Sequence, residues 1–337
     1  MLYDILLDVG QYLNERLLVP LEEVRVAETT FLITGATGAT GGAAAAQLLD
    51  KKRRVRVLAH REDDRSRRLA ELGAELVFGD LLDFDAMRAA VTGTERAYFC
   101  HPIRPGIVQA TAQFAQAAKE AGVEFIVNMS QKSAREDAKS DAARQHWLAE
   151  RVFDWSGVPT AHIRPTYFAE WLLYLAPMIR QGRMMAPFGT TGRHAPVAAE
   201  DQASVIVGLL ENPAPHKGKI YPLFGAVELT HPEIAATISR VLKKDVKYQQ
   251  VSIEEFATLH GGRPNQPAQN TAAAGYHEPD MVTGRAGNSY LIAHLREVVI
   301  DHHNGIFAGT NNLISEIGGR APMTLEQFVE KHRAAFT

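Results

Sequence analysis

Residues 31–42 read FLITGATGATGG. An apolar run stops abruptly in glycines and threonines, then continues as AAAAQLL (43–49). A short strand, a glycine-rich turn and an alanine-rich helix start, in that order, leave the first N–H groups of the helix free beyond the end of the strand. Those groups, with the positive end of the helix dipole, suit a pyrophosphate. Gly35 allows the tight turn, Gly38 lets backbone approach a phosphate, and Gly41 lets the helix pack on the strand. The spacing is G-x-x-G-x-x-G. Outside that context it is an ordinary glycine-rich turn.

Working outward, the pattern repeats. RVRVLA (54–59), AELVFGD (74–80), AYFCH (97–101), EFIVNMS (124–130) and TAHIRPT (160–166) are short apolar runs suited to strands. Helical stretches fall at 41–50, from about 60 to 72, at 108–120 and near 141–156. Strands alternating with helices of this length predict an α/β chain, a doubly wound parallel sheet with helices on both faces. After Thr166 the texture changes to aromatics, Met and Pro (167–189), with two further strand candidates, KIYPL (219–223) and VKYQQ (246–250). The stretch 261–288 is rich in Gly, Pro and Asn and reads as a loop. The expected organisation is an N-terminal helical arm (1–28), a nucleotide-binding domain (29–166) and a smaller α+β substrate-side lobe (167–337), partly interwoven with it.

The second strand ends at Ala59. An NAD-preferring site commonly carries a carboxylate there, for the ribose 2′-hydroxyl. This chain has His60 and Arg61, with Arg65 nearby, and cations suit a 2′-phosphate, so NADP is favoured. Glu62, Asp63 and Asp64 follow at once and pull the other way. They also fit a solvated helix start. Asp80 stands either to meet an adenine or to cap the next helix. His101 and Pro102 end the fourth strand, beside the expected cofactor.

The composition excludes several classes. A net charge of −3 with no strongly basic segment leaves nucleic-acid contact unexpected. Cys100 is the only cysteine, so there is no disulfide framework and no Cys-based metal site, and a reducing, cytoplasmic location fits. The apolar N-terminus is broken by Asp4, Asp8, Glu15 and Arg16, which argues against a membrane segment. Its apolar residues keep helical spacing, suiting an arm on a partner subunit, which would make a homodimer, or else a helix on its own domain or a mobile extension. His294, His302 and His303 lie near the C-terminus. No carboxylate or Cys spacing accompanies them, and no metal site is expected.

Five stretches carry a family resemblance: TGATGATGG (34–42), GAELVFGDLLD (73–83), HWLAERV (146–152), HIRPTYFAEWL (162–172) and GIFAGTNNLISEIGGRAPMTLEQFVEKHRAAF (305–336). Together they resemble the NmrA-like proteins, atypical short-chain dehydrogenases, from about Thr29 to the C-terminus. The resemblance implies a Rossmann-type fold that binds NADP(H). It implies a phosphate loop at Gly35, Thr37, Gly38, Ala39, Thr40 and Gly41, and a 2′-phosphate region at His60 and Arg61. It places Asp80 and Leu81 by the adenine, and His101 and Pro102 by the nicotinamide-side ribose. Lys132 becomes a nicotinamide-side contact, and Tyr167, Phe168 and Glu170 close that pocket.

Short-chain dehydrogenases usually carry Tyr-x-x-x-Lys on the helix after the fifth strand, one turn apart on one face, to protonate the reduced carbonyl. Here the matching residues are His146 and Glu150. The pair is absent, and His146–Glu150 is expected as an i,i+4 pair on a helix surface. Two functions follow. One is an NADPH-dependent reductase of a small aromatic or conjugated acceptor (quinone, azo, imine or enone), which needs no strong proton donor. Ser130, Lys132 and His146 are its candidate catalytic residues. The other is an NADP(H)-sensing regulator with little turnover. Trp171, Tyr174, Met178, Met184, Met185 and Phe188 are either an aromatic-accepting pocket or core.

Overall fold

The structure, a computed structural model, describes residues 30–260 and 289–337. The expected arm (1–28) and the expected loop (261–288) lie outside the described residues. The first half runs β1 (Thr30–Thr34), α1 (Ala39–Asp50), β2 (Arg54–Ala59), α2 (Asp64–Glu71), β3 (Glu75–Phe78), α3 (Phe84–Val91), β4 (Arg96–Phe99), α4 (Ile107–Ala121), β5 (Phe125–Met129), α5 (Asp141–Ser156) and β6 (Thr160–Pro165). The second continues α6 (Trp171–Tyr174), α7 (Ala176–Ile179), β7 (Arg183–Ala186), β8 (Arg193–His194), α8 (Ala199–Glu211), β9 (Ile220–Leu223), β10 (Leu229–Thr230) and α9 (His231–Leu242). It ends β11 (Lys247–Gln250), α10 (Ile253–His260), α11 (Ser289–His303), α12 (Leu313–Glu316), α13 (Leu325–Lys331) and α14 (Arg333–Phe336).

Seven strands form one sheet in the order β3-β2-β1-β4-β5-β6-β9. Every neighbouring pair is parallel, with Ile33 opposite Val57 on one side and Tyr98 on the other. β1 is buried along its whole length because helices cover both faces. Its alternation divides the core. Phe31 and Ile33 pack with Ala44, Ala45 and Leu48 of α1 and with Val205, Ile206 and Leu209 of α8. Leu32 points the other way, among Met87, Phe114 and Phe153. The strand order turns back between β1 and β4, which opens a crevice beyond their C-terminal ends.

Two elements from the second half belong to this sheet. β9, the KIYPL candidate, adds its edge strand beside β6. α8 lies against α1. The remaining lobe has its own core around Leu172, Ile179, Ile238 and Phe328. There VKYQQ forms β11, parallel to β7. α3 had no counterpart in the sequence reading. Asp83 caps it, accepting from the N–H groups of Asp85 and Ala86. Asp80 therefore does not cap that helix. Among the described residues no helix is long and apolar enough to cross a membrane.

Candidate active site

The crevice at the turning point of the sheet is a cleft of about 470 Å³. The glycine loop forms one wall. Gly35 has φ of +62°, which a side chain tolerates poorly. Gly38 donates its N–H to Gly35 O at 3.0 Å, closing the turn. A Cβ at Gly41 would lie 2.4 Å from that same carbonyl, so only glycine fits where α1 crosses the loop. Gly38 is the N-cap of α1 and supplies no side-chain cap. The first-turn N–H groups of Ala39, Thr40 and Gly41 have no intrahelical partner and stand open to an anion. Thr37 to Gly41 all line the cleft. This cradle fits the pyrophosphate of a dinucleotide.

At the far end, His60, Arg61 and Arg65 also line the cleft. The His60 and Arg61 side chains are 70% and 67% exposed, free to reorganise around a ligand. Arg65 is held in place, reaching Thr37 O at 3.4 Å and Asp63 Oδ2 at 2.7 Å. Asp63 caps α2 through the N–H groups of Arg65 and Ser66. Desolvation raises its pKa, but those bonds and the Arg65 guanidinium outweigh it and leave the carboxyl below its usual range. Asp63 is thus a committed helix cap, and the Arg61 and Arg65 guanidinium groups with the His60 ring line this end of the cleft.

The segment after β6 forms the opposite wall. It is pinned by Val197 N–H to Tyr167 O at 2.9 Å and Ala169 N–H to Val197 O at 3.0 Å. Phe168, Glu170, Trp171 and Tyr174 face the cleft. Phe168, Trp171 and Tyr174 also line a smaller cavity of about 40 Å³ inside the second lobe, with Met184 and Phe188. Aromatic rings therefore separate the nucleotide cleft from an apolar recess. Met178 and Met185 are core residues of the lobe.

Glu170 is 5% exposed. Its Oε1 accepts the Ala199 N–H at 2.9 Å, and its Oε2 has no partner among the described residues. Burial pushes its pKa up to about 7, against the opposing Ala199 N–H. At neutral pH the carboxyl is divided between its acid and anionic forms.

A model of the NmrA-like family matches residues 27–277. The chain belongs to the NmrA-like family. It is 27% identical over 308 residues to an NAD(P)H azoreductase of Xenophilus azovorans, covering 90% of this chain and 98% of that one. It is 28% identical over 229 residues to quinone oxidoreductase 2 of Escherichia coli, covering 67% of this chain and 79% of that one. The solved structure of NmrA, a negative transcriptional regulator in complex with NADP, shares the fold with a TM-score of 0.69 at 15% identity, over 90% of this chain and 95% of that one.

In this NmrA-like chain the proposed phosphate-loop residues, His60, Arg61, Leu81, Pro102, Phe168 and Glu170 all reach the cleft. Asp80 sits on its rim instead, 3.4 Å from His60 Nδ1 and accepting the Leu82 N–H at 2.8 Å. His101 is buried behind it, its Nδ1 2.7 Å from Pro102 O, and burial pulls its pKa down to about 4. Tyr167 turns away from the cleft into a ring cluster with Phe188, His194 and Phe307.

The three catalytic candidates do not line the cleft. Ser130 Oγ donates to Glu150 Oε1 at 2.6 Å, and Glu150, fully buried, holds Arg164 through both oxygens. The expected His146–Glu150 surface pair is thus corrected: both are buried, and the glutamate's partner is Arg164. Burial, with His294 and His101 adding to it, brings the pKa of His146 down to about 3, so it remains neutral and is a poor proton carrier. The Lys132 ammonium lies 5.5 Å from the Phe224 ring, its pKa lowered by burial and then by Arg164. Sequence reasoning gave Glu170 only a pocket-closing role. Its acid character comes from burial, which outweighs the opposing Ala199 N–H, and burial of that side chain is a product of the whole fold.

Proposed function

We propose that this protein is an NADPH-dependent oxidoreductase that reduces a small aromatic or conjugated acceptor. The observation that carries this reading is the position of the buried Glu170 carboxyl, with one oxygen unpartnered, between the glycine cradle and an aromatic-walled recess. When bound, NADPH supplies the hydride. The cradle at Gly35–Gly41 would hold its pyrophosphate, and His60, Arg61 and Arg65 its 2′-phosphate. The azoreductase and quinone oxidoreductase among the relatives support this class of acceptor.

The chain's own residues then have distinct tasks. Phe168, Trp171 and Tyr174 orient a flat acceptor by ring contact and keep water from its reacting face. Glu170 holds a proton at Oε2 and delivers it to the reduced acceptor. A carboxylic acid with a pKa near 7 is poised for that step at neutral pH. No Tyr–Lys pair is present to share the proton during hydride transfer, so the anion that forms first must persist until Glu170 delivers its proton. The conjugate acid of an unassisted alkoxide lies near 15.7, the value for water, against roughly 10 for a phenol. Those ~6 units are worth up to ~8 kcal/mol of driving force if fully expressed. Quinone-like, azo and cationic imine acceptors therefore suit the site better than simple ketones.

A panel of quinones, azo dyes and enones, with loss of the reduced-nicotinamide absorbance as readout, tests the proposal. Turnover of at least one class is expected. No turnover on any acceptor, together with a protein partner bound only in one redox state of the nucleotide, would instead make the chain a sensor.

A further inference from the structure

A second group of functional side chains lies apart from the nucleotide cleft. His194 comes from β8, His231 opens α9, and His302 lies in the last turn of α11. All three are buried, His302 completely. One ring nitrogen from each lies within 4.8 Å of those of the other two. His194 Nδ1 and His302 Nε2 are 3.1 Å apart. His231 Nδ1 is buried with no hydrogen-bond partner among the described residues. The surrounding side chains are mainly rings: Phe188 stacks on His231 at 5.0 Å, and the Tyr167 ring is 4.6 Å from His194.

We propose that His194, His231 and His302 bind one divalent transition-metal ion, Zn²⁺ foremost, with a fourth coordination position open toward the small cavity of the second lobe. A histidine–histidine hydrogen bond accounts for one pair of nitrogens only. It leaves His231 Nδ1 buried and, among the described residues, unpaired, which is unfavourable for a polar atom out of water. A shared ion explains why three such side chains, from three separate elements, converge. Zinc–nitrogen bonds of about 2.0–2.1 Å in tetrahedral geometry put two ligating nitrogens roughly 3.3–3.4 Å apart. The His194–His302 spacing is already close to that, and the His231 nitrogen lies within 4.8 Å of both.

The ligand chemistry narrows the ion. Imidazoles without carboxylates suit zinc, copper, nickel or iron, whereas calcium and magnesium require oxygen ligands. Burial lowers the pKa of all three rings, of His231 to about 3 and of His302 to about 4, so the neutral ligating form is already present. His194 and His231 line the cavity of about 40 Å³, which has room for one water-sized ligand. Three protein ligands and an open position are the pattern of an accessible metal rather than a closed structural site.

The test uses the full chain, dialysed against a chelator and titrated separately with Zn²⁺ and Co²⁺. One equivalent should bind, Co²⁺ should give the visible absorption of a tetrahedral nitrogen site, and Zn²⁺ should displace it and raise the melting temperature. His302→Gln or His231→Gln should weaken Co²⁺ binding roughly a hundredfold or more, with circular dichroism confirming the fold. His303→Gln, at an exposed neighbour, should change nothing. X-ray absorption at the zinc edge of the wild-type protein should report three nitrogen ligands, independently of any variant. Absence of stoichiometric binding, binding undiminished in His302→Gln and His231→Gln, or an oxygen-only coordination shell would each overturn the proposal.

Discussion

The glycine cleft and the histidine cluster are built in opposite ways. The cleft gathers residues that are neighbours in sequence: Gly35 and 37–41 after β1, His60, Arg61 and Arg65 after β2, Cys100, Pro102 and Arg104 after β4. It relies on backbone N–H groups and exposed cations. The histidine cluster gathers single residues from β8, α9 and α11, closes them inside aromatic rings and keeps them uncharged. A parallel sheet places successive strand ends side by side, so local motifs suffice to build a nucleotide site. The second lobe must be folded before its chemistry exists. The first region should therefore answer to backbone geometry and salt, and the second to acid.

The largest effect is expected at the loop. Gly41→Ala would place a methyl group 2.4 Å from the Gly35 carbonyl, a contact that backbone must move to relieve. NADPH binding should fall at least about a hundredfold, and stability by ~1–3 kcal/mol, measured by nucleotide titration and by urea unfolding. Near-normal binding would mean that the loop is not the pyrophosphate cradle.

Acid should act next, and chiefly through buried histidines. His101, His146, His231, His294 and His302 have folded-state pKa values lowered from 6.5 to about 4, 3, 3, 4 and 4, burial leading in each case. A depressed histidine is neutral when folded and takes up a proton on unfolding. Its contribution is complete above about 6.5 and is lost as pH falls toward 4 and 3. The urea midpoint should therefore be clearly lower at pH 5 than at pH 7.5. Equal midpoints would refute the dry, neutral cluster.

Glu170 lies between the two regions, and its sign is opposite. Its carboxyl is raised to about 7, so its contribution to stability is full below about 4.5 and lost as pH rises through 7. Glu170→Gln should be more stable than wild type at pH 8. Turnover should drop about tenfold to a hundredfold, and its decline above pH 7 should disappear, with NADPH affinity within a few fold. An unchanged pH profile would remove Glu170 as the proton donor.

The smallest effect is expected at Arg61. Its exposed guanidinium is only 3.9 Å from Asp63. Arg61→Ala should weaken NADPH about tenfold, ~1.4 kcal/mol, and leave NADH nearly unchanged. Higher salt should narrow that gap. Equal losses for both nucleotides would shift the selectivity to Arg65 or His60.

This contrast also explains what the sequence disclosed. The strands through β6 and the glycine cradle were legible because periodicity and motif are local properties. β9 was visible as a strand, but its place at the edge of the main sheet depends on a pairing with β6 that no local pattern records. α3 was missed although Asp83 stands at its start as a cap. Ser130, Lys132 and His146 were plausible by register alone. The sheet instead commits Ser130 to the buried Glu150–Arg164 pair and encloses His146. His302 was noticed near the C-terminus, but its partners His194 and His231 lie far away in sequence, and no spacing rule joins them.

The proposed reaction, reduction of acceptors that yield stabilised anions with protonation from Glu170, can be tested directly on the enzyme. The most direct measurement is kcat/KM with NADPH for a quinone and for an unactivated ketone of similar size, from pH 6 to 9, in wild type and Glu170→Gln. Turnover of the quinone should exceed that of the ketone by several orders of magnitude, with a wild-type decline above about pH 7 that Glu170→Gln abolishes. Comparable turnover of the ketone, or the same decline in Glu170→Gln, would contradict it.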